Sequence, residues 1–220
     1  MNRKKMILLT SLLVFIPTII GLILWNKLPE ELPVHFNAAG EIDNWESKTF
    51  VVFFMPLFLW GTHLLTGFII LADPKKQNIG DKMFLLTLLI IPFTSVFICI
   101  LTYCPVLGIE VSAGLLGNLF LGIVFIVIGN YLPKSRQNYT VGIKIPWTLS
   151  DAENWNKTHR LAGIVWLFCG ILLVANAFLK FFWIIPLVAA VAVLLPTGYS
   201  FLLYLRKGKP TTPDKTNDAK

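Results

Sequence analysis

The sequence predicts an all-α integral membrane protein, folded as a six-transmembrane-helix bundle. Its mean hydropathy is +0.70, and 55% of its 220 residues are hydrophobic. Only 14% are charged, and these charges cluster between apolar runs that are long enough to cross a bilayer. The predicted spans are residues 6–25, 49–72, 83–104, 113–132, 161–179 and 181–205.

The distribution of positive charge predicts the orientation. Sixteen of the 19 Lys and Arg residues lie before the first span, in the turn 73–82, in the loop 133–160 and after the last span. Because cytoplasmic segments of membrane proteins are enriched in Lys and Arg, the N and C termini are both predicted to be cytoplasmic. We call this side the inner face and the opposite side the outer face. Topology accounts for the net charge of +7, so no nucleic acid partner is expected.

The first apolar run follows three cations and resembles the start of a secretory signal. It is longer than such a signal, however, and no small-residue cleavage site follows it. It is therefore predicted to be an uncleaved first span, with a kink at Pro17 that neighbouring helices can tolerate.

The extracytoplasmic loop between helices 1 and 2, residues 26–48, predicts a small β-hairpin-like element. Residues 34–37 alternate apolar and polar side chains, residues 38–40 supply a turn, and residues 42–45 are suited to a returning strand. A two-stranded hairpin is marginal alone, so it should pack on the outer ends of the spans. His35 near Asp43 allows a metal or acid–base site, but structural hydrogen bonding of His35 and Asn37 is favoured.

No pattern of catalytic or metal-binding residues stands out. Cys99, Cys104 and Cys169 all lie inside apolar runs without a C-x-x-C spacing, which predicts free buried thiols. His63 lies within the second span, where an ionisable group is a functional candidate. The alternative is a neutral histidine that hydrogen-bonds another helix. We expect no enzyme activity, no cofactor and no metal.

The loop 133–160 is the longest polar segment between spans. Ser150 with Glu153 fits a capping box, which predicts a helix start near Asp151 and its continuation into the fifth span. Trp155 and His159, with Gly163, then recur every four residues and share one face. Trp147 and Trp155 near the apolar flanks are expected at headgroup level.

Two groups of residues resemble known families. The inner-face group resembles the signature of the SdpI family, although Lys144 stands where arginine is more usual; its residues are Asn138, Gly142, Pro146, Trp147, Trp155, Thr158, His159 and Arg160. The outer-loop group resembles the small domain of unknown function that often precedes this signature; its residues are His35, Phe36, Asn37, Gly40, Asp43 and Trp45.

The resemblance implies a multi-pass protein of a bacterial cell membrane that acts as an immunity protein against a secreted toxin peptide. In the signalling version of the family, such a protein also holds a cytoplasmic transcriptional repressor at the membrane. On this reading residues 1–82 form a two-helix module, residues 83–205 an SdpI-like four-helix module, and residues 206–220 a disordered cytoplasmic tail.

Other interpretations remain open. The chain would be a small transporter or lipid-handling protein if the bundle interior carried a polar pathway. An enzyme acting at the inner interface through His159 is the least favoured. The signature residues either bind a ligand or partner, or serve helix-end packing and anchoring to lipid headgroups.

The topology predicts a specific labelling pattern. Ala38→Cys and Asn44→Cys should react with an impermeant thiol reagent in intact cells, because both lie in the acidic outer loop. Gln137→Cys and Pro210→Cys should react only after permeabilisation. Labelling of position 137 in intact cells would overturn the six-span arrangement.

Overall fold

The computed structural model describes residues 2–37 and 40–207 and confirms the predicted class, with six helical segments of membrane length. The predicted turn residues Ala38 and Ala39 and the predicted tail from residue 208 onwards lie outside the described residues. The elements are α1 (Arg3–Leu13), α2 (Ile16–Ile23), β1 (Glu31–Phe36), β2 (Ile42–Ser47), a π-helical turn (Phe50–Phe54), α3 (Met55–Ala72), α4 (Asp81–Val106), α5 (Ala113–Tyr131), α6 (Pro146–Ser150), α7 (Ala152–Leu179) and α8 (Ile184–Lys207).

The first span is broken between α1 and α2, as the proline predicts. Pro17 occupies the first turn of α2, where its missing N–H costs nothing. The Ser95 hydroxyl of α4 donates to the Val14 carbonyl oxygen at the break, 2.9 Å away. A neighbouring helix thus satisfies a carbonyl group that the break releases inside the membrane.

Strands β1 and β2 pair antiparallel and confirm the hairpin. Gly40 has a φ of +83°, a conformation that glycine adopts without strain. His35 Nδ1 lies 2.5 Å from Asp43 Oδ1 across the strands, the structural hydrogen bond that the sequence favoured. Leu32 is fully buried in a cluster with Val52 of the π-helical turn and with residues of α4, so the hairpin rests on the outer ends of the spans.

The helices pack in two groups. Helix α4 packs on α1, α2, α3 and β1, whereas α5 packs mainly on α7, which also carries α8. Contact between α4 and α5 is sparse. The division of the chain at residue 82 stays a prediction, and we refer below to the α1–α4 group and the α5–α8 group.

Helices α5 and α7 meet through reciprocal glycine contacts, which we call the glycine seam. A Cβ atom added at Gly122 would lie 2.9 Å from the Gly170 carbonyl oxygen, and one added at Gly129 would lie 2.9 Å from that of Gly163. The two contacts lie two helical turns apart along the antiparallel helices. Small residues permit this close backbone approach in membranes. Gly117, by contrast, faces open space.

Several polar side chains of the spans form hydrogen bonds between helices. His63 Nε2 lies 3.0 Å from the Thr10 hydroxyl of α1, which matches the interpretation as a histidine bonded to another helix. The Asn176 amide donates to Asn118 Oδ1 at 3.0 Å and to the Phe181 carbonyl at 3.1 Å. Asn176 therefore fixes both the α5–α7 contact and the tight connection to α8.

The glycine seam predicts that Gly129→Ala is destabilising. The added methyl group must displace backbone atoms of α7, which costs about 1–3 kcal/mol in a packed core. The matched control is Gly117→Ala on the same helix, which gains helix propensity worth up to about 1 kcal/mol and meets no atoms. Thermal unfolding midpoints in detergent micelles should fall for the first variant only. Equal midpoints would contradict the seam.

Candidate functional site

The inner-face loop is organised around the buried Asn138 side chain. Its amide nitrogen donates to the Arg136 carbonyl oxygen at 2.8 Å and to the Val141 carbonyl oxygen at 3.0 Å. Its Oδ1 accepts the N–H groups of Thr140 at 3.0 Å and Val141 at 2.7 Å. One asparagine therefore satisfies the backbone of a tight turn, a role that suits its paired donor and acceptor groups.

His159 joins this turn to α7. Its Nδ1–H donates to the Trp155 carbonyl oxygen at 2.8 Å, so Nε2 accepts the Ile143 N–H at 3.0 Å. This pairing corresponds to the neutral imidazole with its proton on Nδ1. Gly142 has a φ of +125°, and a Cβ there would overlap His159 Nε2. The position of His159 therefore leaves room only for glycine at position 142.

Trp155 lies inside the protein and not at a surface that could contact lipid headgroups. It is fully buried, its indole N–H donates to the Ser135 carbonyl oxygen at 2.8 Å, and its ring stacks on His159 with centroids 4.0 Å apart. The helix face it shares with His159 and Gly163 is buried. Trp147 is partly exposed and packs against Phe201 of α8.

Thr158 belongs to a polar cluster between α7 and α8. Its hydroxyl donates to Asn154 Oδ1 at 3.0 Å, and the Asn154 amide donates to the Ser200 carbonyl oxygen at 2.9 Å. The Ser200 hydroxyl in turn donates to Asn154 Oδ1 at 2.5 Å. Buried polar groups that satisfy one another hold two helices in a single register.

The predicted capping box at Ser150 is wrong by one residue. Ser150 ends α6, which begins at Pro146, and the N-cap of α7 is Asp151, whose carboxylate accepts the Glu153 N–H at 2.9 Å. The helix start near Asp151 and its unbroken run into the membrane are confirmed. A hydrogen bond from Lys207 is the main reason that the pKa of Asp151 is lowered. Residues 206 and 207, predicted as tail, form the last turn of α8.

Asp73, at the end of α3, is a site residue that the sequence analysis missed. Its Oδ2 accepts the Tyr139 N–H at 2.9 Å and the Thr140 hydroxyl at 2.8 Å, and its Oδ1 accepts the Lys75 N–H at 2.7 Å. Burial alone would raise the pKa of this carboxyl, but the hydrogen bonds outweigh burial and lower it. Asp73 therefore binds the inner loop in its ionised form.

Gln137 also joins the turn between α3 and α4 to the inner loop. Its carbonyl oxygen accepts from the Asn78 amide at 2.7 Å, and its Oε1 accepts from Lys75 Nζ at 2.8 Å. Its own amide donates to the carbonyl oxygens of Thr148 at 3.0 Å and Leu149 at 2.8 Å. The turn between α3 and α4 and the inner loop thus form one unit, which we call the inner platform (residues 73–79 and 135–160).

Burial separates the signature residues into two kinds. Asn138, Trp155, Thr158 and His159 are buried and hold the platform together, whereas Pro146 and Arg160 are exposed at its surface. Gly142 and Trp147 are intermediate. A role of these residues in binding a ligand or partner stays a prediction.

The outer-loop residues lie together on the hairpin. Trp45 and His35 are exposed, and Phe36 is partly buried at the end of β1. Asn37 Oδ1 accepts the Glu41 N–H at 3.0 Å, which closes the loop beside Gly40. These positions offer an aromatic, polar surface at the outer face.

Comparison with known proteins confirms the family resemblance. Residues 134–200 match the model of the SdpI/YfhL protein family, and residues 12–59 match the domain of unknown function DUF1648. The chain is 28% identical over 202 residues to the protein named "Immunity protein SdpI" of Bacillus subtilis (strain 168), covering 89% of this chain and 92% of that protein. No solved structure matches the chain. Asp73 lies between the two matched segments.

The role of Asp73 predicts that Asp73→Asn loosens the inner loop. Leaving the Tyr139 and Thr140 donors without their carboxylate should cost about 1–3 kcal/mol, so trypsin should cut faster after Lys134, Arg136 or Lys144 in solubilised protein. The matched control is Asp81→Asn, because its exposed ion pair with Arg3 contributes little.

The stability that Asp73 contributes should also depend on pH. Because its pKa is lower in the folded chain than the ordinary value, the contribution is complete above that ordinary value and is lost as pH falls through the lower, folded value. Acidification below about pH 4 should therefore raise the cutting rate of the wild-type loop, measured with an acid-active protease, and have little effect on Asp73→Asn. If acid raised the cutting rate of Asp73→Asn as much as that of the wild type, the role assigned to the Asp73 carboxylate would be wrong.

Proposed function

We propose that this SdpI-family membrane protein protects its cell against a membrane-active killing peptide. The observation that carries the proposal is the similarity to an immunity protein along nearly the whole length of both chains. The match extends beyond the family signature, so it includes the outer hairpin, the spans and the inner platform together.

The outer hairpin is the surface that would meet the peptide. It is the largest folded element outside the spans at that face, and it carries the exposed indole of Trp45. Aromatic rings of this kind favour the membrane interface and contribute strongly to binding energy. A peptide that approaches the bilayer from outside reaches this ring before the inner face.

The inner platform is the surface that would meet a cytoplasmic repressor. Arg160 projects from its exposed side, while the nearby acidic groups Asp151 and Glu153 are paired with Lys207 and Lys157. This leaves a net positive surface, which favours an acidic partner. The buried signature residues would act indirectly, by holding that surface in shape.

The membrane interior favours protection over transport. A transporter of ions or polar solutes needs polar groups that line a route at mid-membrane depth. Here His63 bonds Thr10 and Asn118 bonds Asn176, so these groups serve contacts between helices.

A challenge assay tests the proposal. Sensitive Bacillus cells without their own immunity protein should survive a membrane-active killing peptide, of the kind that SdpI-family proteins are expected to counter, when they express this chain. Trp45→Ala should reduce protection about tenfold, the effect of losing one interface anchor of 1–2 kcal/mol. Trp183→Ala is the matched control, because its ring is equally exposed but lies on the α7–α8 connection. Survival no better than that of empty cells, at normal membrane abundance, would refute the function.

A second assay, which follows the membrane association of a cytoplasmic repressor, separates the surface of the platform from its scaffold. Recruitment of a repressor should fall with Arg160→Gln but not with Lys157→Gln, which alters a charge already paired on the same helix. His159→Ala should reduce recruitment as well, together with faster proteolysis of the loop. Recruitment that survives both Arg160→Gln and His159→Ala would remove the platform from the partner surface.

A further inference from the structure

An open apolar groove lies where the two helix groups fail to close. It has a volume of about 760 Å³ and is lined by α4 on one side, α5 on the other and residues 140–143 of the loop at its inner end. This volume is in the range of cavities that hold whole small molecules. The groove is separate from the hairpin and from the exposed face around Arg160.

Below an aromatic pair near its outer end, the groove is at least as long as one leaflet of the bilayer is thick. Phe97 of α4 and Phe120 of α5 stack across it with ring centroids 4.3 Å apart, and so bridge the helices near its outer end. From Phe97 to Met83 at the inner end, α4 rises about 21 Å. From Phe120 to Tyr131, α5 rises about 16 Å. Half of the hydrocarbon core is about 15 Å thick.

The lining favours a flexible chain over another helix. Helices approach one another closely in membranes through small residues, and the small residues of α5 are already used against α7 in the glycine seam. The groove instead presents large side chains; they include Leu86, Ile90, Phe93, Ile123, Val127 and Ile128. Such walls accommodate an acyl chain, which can bend around them.

The inner mouth of the groove is positively charged. Lys134 Nζ lies 4.7 Å from the ring centroid of Tyr131, and Lys144 Nζ donates to the Thr140 carbonyl oxygen at 2.8 Å. Tyr131 and Thr140 both line the groove. Within the described ranges neither lysine forms an ion pair with a carboxylate, so both are free to bind an anion.

We propose that this groove binds an anionic phospholipid of the inner leaflet. The acyl chain lies between α4 and α5 below the Phe97–Phe120 pair, and the phosphate lies beside Lys134 and Lys144. The lipid fills the gap between the two helix groups and contacts the underside of the inner platform. This site does not depend on the protein's role in toxin protection.

Native mass spectrometry of the delipidated full chain in detergent tests the proposal, with phosphatidylglycerol as the anionic probe and phosphatidylcholine as the zwitterionic one. The wild type should bind one phosphatidylglycerol molecule roughly thirtyfold more tightly than phosphatidylcholine, which corresponds to about 1 kcal/mol from each of two lysines. Lys134→Gln combined with Lys144→Gln should remove this preference. Lys157→Gln should retain it.

A second pair of variants tests the groove itself. Ile123→Trp narrows the groove and should weaken binding of both lipids, whereas Val193→Trp, at an exposed position of α8 outside the groove, should not. A photoactivatable phosphatidylglycerol in nanodiscs should label α4 and α5 of the wild type, a readout that needs no variant to fold. Equal affinity for both lipids, unchanged binding in Ile123→Trp, or labelling spread evenly over the six spans would overturn the proposal.

Discussion

The close approach of α5 to α7 determines where the rest of the inner face can lie. The glycine seam continues beyond α5, because Gly163 also packs directly beneath the Pro133 ring. The chain therefore leaves α5 beside α7, and the Ser135 carbonyl group accepts a hydrogen bond from the Trp155 indole. A wider separation of the two helices would leave this carbonyl and the Ile143 N–H without their partners on α7. Glycine contacts in the membrane thus position a polar loop outside it.

Features that depend on local pattern could be predicted from the sequence. The six spans follow from apolar runs of sufficient length, the hairpin from alternation around a glycine turn, and the broken first span from Pro17. The helix cap was misplaced because the pattern Ser150-x-x-Glu153 is also compatible with a serine that ends a preceding helix. Pro146, which starts the one-turn helix α6, was the available signal for that boundary.

Features that depend on distant contacts could not be predicted in this way. Asp73 bonds residues that are 66 and 67 positions later in the chain, and an acidic residue at a helix end has no pattern that indicates such a partner. The shared face of Trp155, His159 and Gly163 was predictable from helical spacing, but its burial was not. Helical spacing predicts which side chains share a face. It does not predict what covers that face, because the covering segment is the inner loop, which has no periodic pattern. The seven-residue spacing of Gly122 with Gly129, repeated in Gly163 with Gly170, was a signal for the seam.

The polar cluster between α7 and α8 has a consequence for biosynthesis. Asn154 receives its partner only when Ser200 has been made, 46 residues later, near the end of the last span. Until then its amide and the Thr158 hydroxyl lack the third member of their network, at the membrane surface of an unfinished chain. A protein truncated before α8 keeps five apolar spans but leaves the Asn154 amide nitrogen without its acceptor, a cost that grows with burial. The inner face is therefore completed only when synthesis of the chain is nearly complete. Finished and truncated chains differ in this contact, and membrane quality control could recognise the difference.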